Sequence, residues 1–237
     1  MTRICFVAAL AVASIEAIGL GAIIVDFDSL DASAQTYNGL GGAPLDNYLA
    51  GFGISISDVT SGIPNVDSEV RVLDLPAAGS TIVQPVSSPN VLFQSAPGAL
   101  NFSLRGFTLN FANELLSFGF TRPELLQTVR LEGYSEWTAT AFDTNGQAID
   151  SVGENAFLIT SDIAAQDFLL TGPGISAVRF ETNYTGATFS SVHVDDLVLT
   201  QAVPEPSSLA IMGLGLSGAT LVSFWKRRQQ ARLSDAV

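Results

Sequence analysis

Near its C-terminal end the sequence holds a run without a charged residue, Leu209 through Trp225, and both of its borders are marked. Upstream, Val203-Pro204-Glu205-Pro206-Ser207-Ser208 places two prolines that fix φ and hold their neighbours extended. Downstream, Lys226-Arg227-Arg228 follows at once. A run of this length sits at the short end of what crosses a hydrocarbon core of about 30 Å. The basic block then stays cytoplasmic, with Trp225 at the headgroup boundary. A buried helix of a globular domain is the competing reading, but such helices are amphipathic and seldom end in a basic block. Residues 209–225 are therefore expected to form a transmembrane helix, with 226–232 as its basic stop, and the preceding domain to finish at residue 202.

The other end agrees. Met1-Thr2-Arg3 is a short positive segment and Ile4 to Ala13 an apolar run of signal-peptide length. Cleavage after Ala22 would leave Ile23 as the mature start, with Ala17 and Ala13 as alternative sites and an uncleaved anchor as the rival reading. Each version exports the middle of the chain. The expected organisation is a signal peptide over 1–22, one domain over 23–202 and a C-terminal signal over 203–232.

Cys5, the only cysteine, falls in the presumed signal peptide, so the mature domain has no thiol for catalysis, zinc or a disulfide. Its stability must come from core burial or a bound ion. Residues 23–202 keep five arginines, no lysine and 20 acids, a formal charge of −15. That field repels nucleic acid and favours divalent cations. Plain solubility explains the acids equally well.

The middle reads as β throughout: short alternating runs, separated by Gly, Pro, Asn, Asp and Ser clusters, with no long helical period. Ile23–Phe27, Ile54–Ser57 and Val70–Leu73 are expected strands, with a Gly- and Asp-rich loop over Asp28–Tyr48. Leu100, Phe102 and Leu104 are apolar at even positions, whereas Phe107, Leu109 and Phe111 are apolar at odd ones. A change of parity at Gly106 predicts a bulge or a tight hairpin. Thr121 and Glu124 have the spacing that caps a turn of helix. Asn145-Gly146 between extended runs predicts a type I′ hairpin. With Phe168–Leu170, Ala177–Thr182 and Ser190–Thr200, about ten strands are expected, arranged as an antiparallel β-sandwich.

The order Pro-Glu-Pro, apolar segment, basic cluster over Val203–Arg232 closely resembles the PEP-CTERM sorting signal of Gram-negative bacteria. That resemblance implies recognition of Pro204, Glu205 and Pro206 by exosortase, a membrane-embedded cysteine transpeptidase, and an association with envelope and exopolysaccharide or biofilm export. Thr138–Gly146, Ser191–Leu199 and Val25–Asp28 are similar to strands of carbohydrate-binding-module and galactose-binding-like jelly rolls. The second resemblance implies a sandwich of jelly-roll type whose first and last strands meet.

Such a meeting brings Asp26 and Asp28 near Asp195 and Asp196. Calcium takes six to eight oxygens, several from carboxylates. Successive strand residues point to opposite faces, and Asp196 shares its face with Val194 and Val198, which reads as core-facing. Asp196, then Asp28, then Asp26 are the expected calcium ligands, against the alternative of carboxylates that merely accept turn and edge hydrogen bonds. Trp137 is the candidate ligand platform, although its alternation with Ala139 and Ala141 suits a core position.

Catalysis finds little support. His193 is the only histidine, and Asp195 on the same strand face cannot orient it as a triad partner. Glu132, Glu136, Asp143 and Asp150 are available for a glycosidase pair, but carboxylates abound in an acidic domain. The expectation is an exported, non-catalytic β-sandwich of the envelope or matrix that binds carbohydrate or calcium. Its rivals are a structural adhesion protein without small ligand and a polysaccharide hydrolase or lyase.

Overall fold

Alternating apolar residues without helical period leave the chain one way to satisfy its backbone, and the computed structural model is accordingly antiparallel β. It describes residues 19–32, 40–60, 69–75, 83–87, 89–95, 104–127, 132–183 and 192–203. The chain divides into two units, Leu20–Ala202 and a second made of Met1–Gly19 with Val203–Val237; the first is described below. The expected spanning segment 209–225, the motif Pro204-Glu205-Pro206 and most of the signal peptide lie outside the described residues. Among the described residues no helix is long and apolar enough to cross a membrane.

The elements are β1 (Gly19–Val25), β2 (Leu40–Gly41), α1 (Ala43–Ala50), β3 (Ile54–Thr60), β4 (Glu69–Asp74), β5 (Val83–Gln84), β6 (Asn90–Ser95) and β7 (Leu104–Arg122). There follow β8 (Glu124–Leu125), β9 (Glu132–Tyr134), β10 (Glu136–Phe142), β11 (Ala148–Glu154), β12 (Phe157–Ile159), β13 (Gln166–Asn183) and β14 (His193–Val203). Ten strands form the main sheet in the order β11-β10-β13-β7-β14-β6-β4-β2, with β1 also on β14 and β3 also on β7. Two short pairs, β12-β9 and β5-β8, complete the set. Because β1 begins at Gly19, cleavage after Ala22 would cut into it, whereas cleavage after Ala17 or Ala13 leaves it whole.

Alternate residues along neighbouring strands supply the core. Trp137, Ala139 and Ala141 of β10 lie beside Thr182, Phe180 and Val178 of β13, which lie in turn beside Arg105, Phe107 and Leu109 of β7. All nine side chains are buried. Phe107 stacks on Phe180 with centroids 5.1 Å apart, and Phe120 meets the edges of Phe180 at 5.0 Å and Trp137 at 5.7 Å. The opposite side stays polar: Thr138 is exposed, and Arg179 pairs with Glu181 at 2.8 Å.

Several local expectations are corrected. Helix α1 begins inside the stretch read as loop and runs two residues past its end; Pro44 fits its first turn, and Leu45 and Leu49, one turn apart, are its buried face. No helix follows Thr121: β7 runs on to Arg122 and β8 begins at Glu124. Nor is Gly106 a turn. It pairs in regular register with Glu181, and a Cβ there would stand 2.7 Å from the Phe180 carbonyl oxygen. The irregularity sits on the neighbouring strand, where Ser57–Thr60 opposes Thr108–Gly106 and Asp58 takes a φ of 51°. The hairpin between β10 and β11 forms, but only Gly146 has positive φ, at 74°. Its turn is set instead by Asp143, whose carboxylate accepts from the N–H groups of Asn145 and Gln147, each at 2.8 Å.

Candidate functional site

Since β1 pairs with β14, the residues that follow β1 arrive beside the bend of β14. Asn90, fully buried, donates its amide to the carbonyls of Phe27 at 2.8 Å and Leu30 at 2.7 Å and so fixes the turn that carries Asp28. The Tyr48 hydroxyl donates to the Asp26 carbonyl from α1. On the other side, β14 changes neighbour at one residue. His193 and Val194 pair with Phe93 and Leu92 of β6, whereas Asp195 pairs with Thr121 of β7. A bulge follows between Asp195 and Val198, and Asp196 takes a φ of 45°, a left-handed conformation that aspartate tolerates better than most residues.

The outcome is a cleft of 540 Å³ whose lining includes Asp26, Asp28, Asp167 and Asp196, with Ile24 and Leu169 among its apolar members. All three expected calcium ligands thus face one space. Among the described residues, however, no group of three or more His, Cys, Asp or Glu could hold a metal ion as the side chains stand. Burial raises the Asp28 carboxyl above its ordinary range; the charges of Asp26 and Asp196 push the same way, against hydrogen bonds from Asn90 and Ser87. Its Oδ1 is buried without a hydrogen-bond partner.

The alternation argument placed Asp196 toward the core, and the bulge corrects it. Asp195 is the fully buried carboxylate, while Asp196 is half-buried and shares the cleft with Val198. Asp195 Oδ2 accepts from the N–H groups of Val86 at 2.9 Å and Ser87 at 3.2 Å. Its Oδ1 accepts from the Ser87 hydroxyl and the Asp196 N–H, both at 2.9 Å. Asp195 therefore ties segment 85–87 to β14 beneath the cleft. Burial pushes its carboxyl up to about 6, with the Asp196 charge adding to the rise.

This shift has a definite sign. The folded chain holds the Asp195 proton more tightly than an unfolded chain with the ordinary value of 3.8. Its stabilising contribution is whole below about 3.8 and is lost as pH rises through about 6. We expect the melting temperature of the wild type to fall more between about pH 4 and pH 7 than that of Asp195→Asn. Parallel pH profiles of the two proteins would disprove this assignment.

Trp137 is 1% exposed, so its face cannot serve as a ligand platform. Its Nε1 donates to Glu154 Oε2 at 2.8 Å, and Glu154 Oε2 also pairs with Arg122 Nε at 3.0 Å. The buried Arg122 guanidinium donates further to the carbonyls of Pro123 at 2.6 Å and Ala164 at 3.1 Å. His193 is buried and stacked on Phe93, with centroids 5.8 Å apart and rings 5° from parallel. Of the acids considered for a glycosidase pair, Asp143 and Asp150 are engaged in turn and edge hydrogen bonds. Two contributors escaped the sequence reading: Asp167, which accepts from the Thr121 hydroxyl at 2.7 Å, and Ser87. The Thr121 spacing had pointed to a helix cap, and nothing in segment 85–87 marks it.

Residues 202–228 match the PEP-CTERM protein-sorting motif. The chain therefore carries the address of an exported protein, and the motif implies processing by exosortase. No curated protein sequence matches the chain. Among solved structures it is similar to the K1 cleaved adhesin domain of Lys-gingipain from Porphyromonas gingivalis W83, with 10% identity and a TM-score of 0.43 over 78% of this chain and 99% of that one. A mannan-recognising carbohydrate-binding module gives 8% identity and a TM-score of 0.41 over 78% and 99%. An arabinose-bound α-L-arabinofuranosidase gives 15% identity and a TM-score of 0.38 over 69% of this chain; the chain spans only 25% of that enzyme.

Proposed function

We propose that this chain is a non-catalytic binding protein of the bacterial envelope or extracellular matrix, whose β domain is a sandwich of jelly-roll type. In this reading a signal peptide exports it. Exosortase acts at Pro204-Glu205-Pro206, and the segment 209–225 holds the protein in the membrane until it is processed. The ligand is an extracellular polysaccharide, bound in the cleft between the ends of β1 and β14. The observation that carries the reading is the convergence of Asp26, Asp28 and Asp196 with apolar side chains on one 540 Å³ cleft. A volume of that order suits a small ligand or one or two units of a polymer. Carboxylates accept from sugar hydroxyls, and apolar walls cover the faces of the ring. The only histidine, His193, is buried and stacked on Phe93.

A second reading, structural calcium in the same place, is favoured by the buried, unpartnered Asp28 Oδ1. Calcium there would draw on Asp196, Asp28 and Asp26 after a rearrangement of their side chains and would neutralise their mutual repulsion. The test is a glycan array with the full-length chain, with and without chelator, alongside melting curves. We expect retention of at least one extracellular polysaccharide, with no release of new reducing ends. Saccharide release abolished by replacing one acid would make the protein an enzyme. A melting temperature and binding pattern unmoved by chelator would remove calcium.

A further inference from the structure

Large apolar side chains gathered at one exposed place mark a site of interaction, whereas scattered ones do not. Four such residues stand out among the described ones: Ile24 at 63% exposed, Val86 at 52%, Leu158 at 60% and Leu169 at 57%. Two of them line the cleft and a third adjoins it. Ile24 and Leu169 line the cleft, and Val86 precedes Ser87, which also lines it. They come from β1, segment 85–87 and β13, so no single amphipathic strand explains them. The mouth of the cleft is aliphatic and its walls bear four carboxylates. Among the described residues no Lys, Arg or His lines it, and Asp28 keeps one buried oxygen without a donor.

Resting on the reading of this cleft as the binding site, we infer that its ligand is a saccharide unit bearing a protonated amine. A bare divalent ion would leave Ile24 and Leu169 uncovered. A neutral sugar would offer hydroxyl donors but leave like charges facing one another, and a uronate or sulfated sugar would be repelled outright. An amino sugar answers both features. Its ring carbons lie against the aliphatic mouth, and its ammonium supplies charge-assisted hydrogen bonds to the carboxylates. A basic protein partner shares the charge, but three apolar side chains around one cleft fall far short of the roughly 800 Å² per partner that a stable protein interface needs.

The test is titration calorimetry of the full-length chain with a glucosamine oligosaccharide, its fully N-acetylated counterpart, a lysine oligomer of equal charge, and calcium chloride. We expect the glucosamine oligomer to bind at least about tenfold more tightly than the N-acetylated and lysine oligomers, one charge-assisted contact's worth. Asp26→Asn, at an exposed position, should weaken it by about the same factor. Leu169→Ser should weaken the glucosamine oligomer and leave the lysine oligomer unchanged. Circular dichroism establishes that both variants fold. Equal binding of the lysine oligomer, or absence of glucosamine binding, overturns the inference. An N-acetylated oligomer bound equally well and weakened by Asp26→Asn would sink the amine yet keep the cleft as the site. If no saccharide and no calcium bind, both readings fall.

Discussion

Replacing Trp137 with alanine is expected to destabilise the β domain by about 3–5 kcal/mol, read as a lower urea midpoint in equilibrium unfolding. The indole is fully enclosed: it meets Phe120 and Phe168 edge-on at 5.7 and 4.8 Å, and its N–H is committed to Glu154. Truncation removes a large apolar volume from the middle of β10 and leaves the Glu154 carboxylate one donor short. The proposed saccharide binding should be unchanged in the folded fraction, because Trp137 is not among the cleft's lining residues. A variant that keeps its stability and loses its ligand would restore Trp137 as a binding platform.

Glu154→Ala should cost about 3 kcal/mol, since it leaves the Arg122 guanidinium buried beside β10 without its counter-charge. The carbonyls of Pro123 and Ala164 would still accept from that guanidinium, but neither neutralises it. The paired replacement Arg122→Met with Glu154→Leu should cost markedly less than Glu154→Ala alone, because it removes both charges together. The effects of Glu154→Ala and Trp137→Phe should also fall short of additivity, as both act on one carboxylate oxygen. Urea unfolding of the wild type, Glu154→Ala, Trp137→Phe, their double variant and the paired replacement decides the matter. Full additivity, or a paired variant weaker than the single one, would mean that these side chains do not act as a unit.

Much of the architecture is legible in the sequence. Period-two runs such as Trp137–Ala141 show which side of a strand faces inward, and the Asn-Gly turn located a real hairpin. What failed has local physical causes. Helix α1 is only two turns long, too short for a helical period to stand out, and its Leu45 and Leu49 read equally well as loop apolars. Of the parity change expected at Gly106, the side before it (Leu100, Phe102) lies outside the described residues, and the bulge found nearby belongs to β3, which one segment's pattern cannot reveal. The cleft was half legible. Carboxylates just after the first strand and on the last one were expected to meet, and they do line one space. Strict alternation then assigned the buried role to Asp196 instead of Asp195, because one extra residue in β14 reverses every face beyond it. Asp167 had no signal at all, since its place depends on β13 lying alongside β7.

Strand β14 lies between β7 on one edge and β6 and β1 on the other, and its last residue, Val203, falls within the sorting motif over 202–228. Force that reaches the domain through Val203 therefore enters it on an interior strand. Hydrogen bonds on both edges then resist together, as in a lap joint. A peripheral strand would offer such bonds on one edge alone.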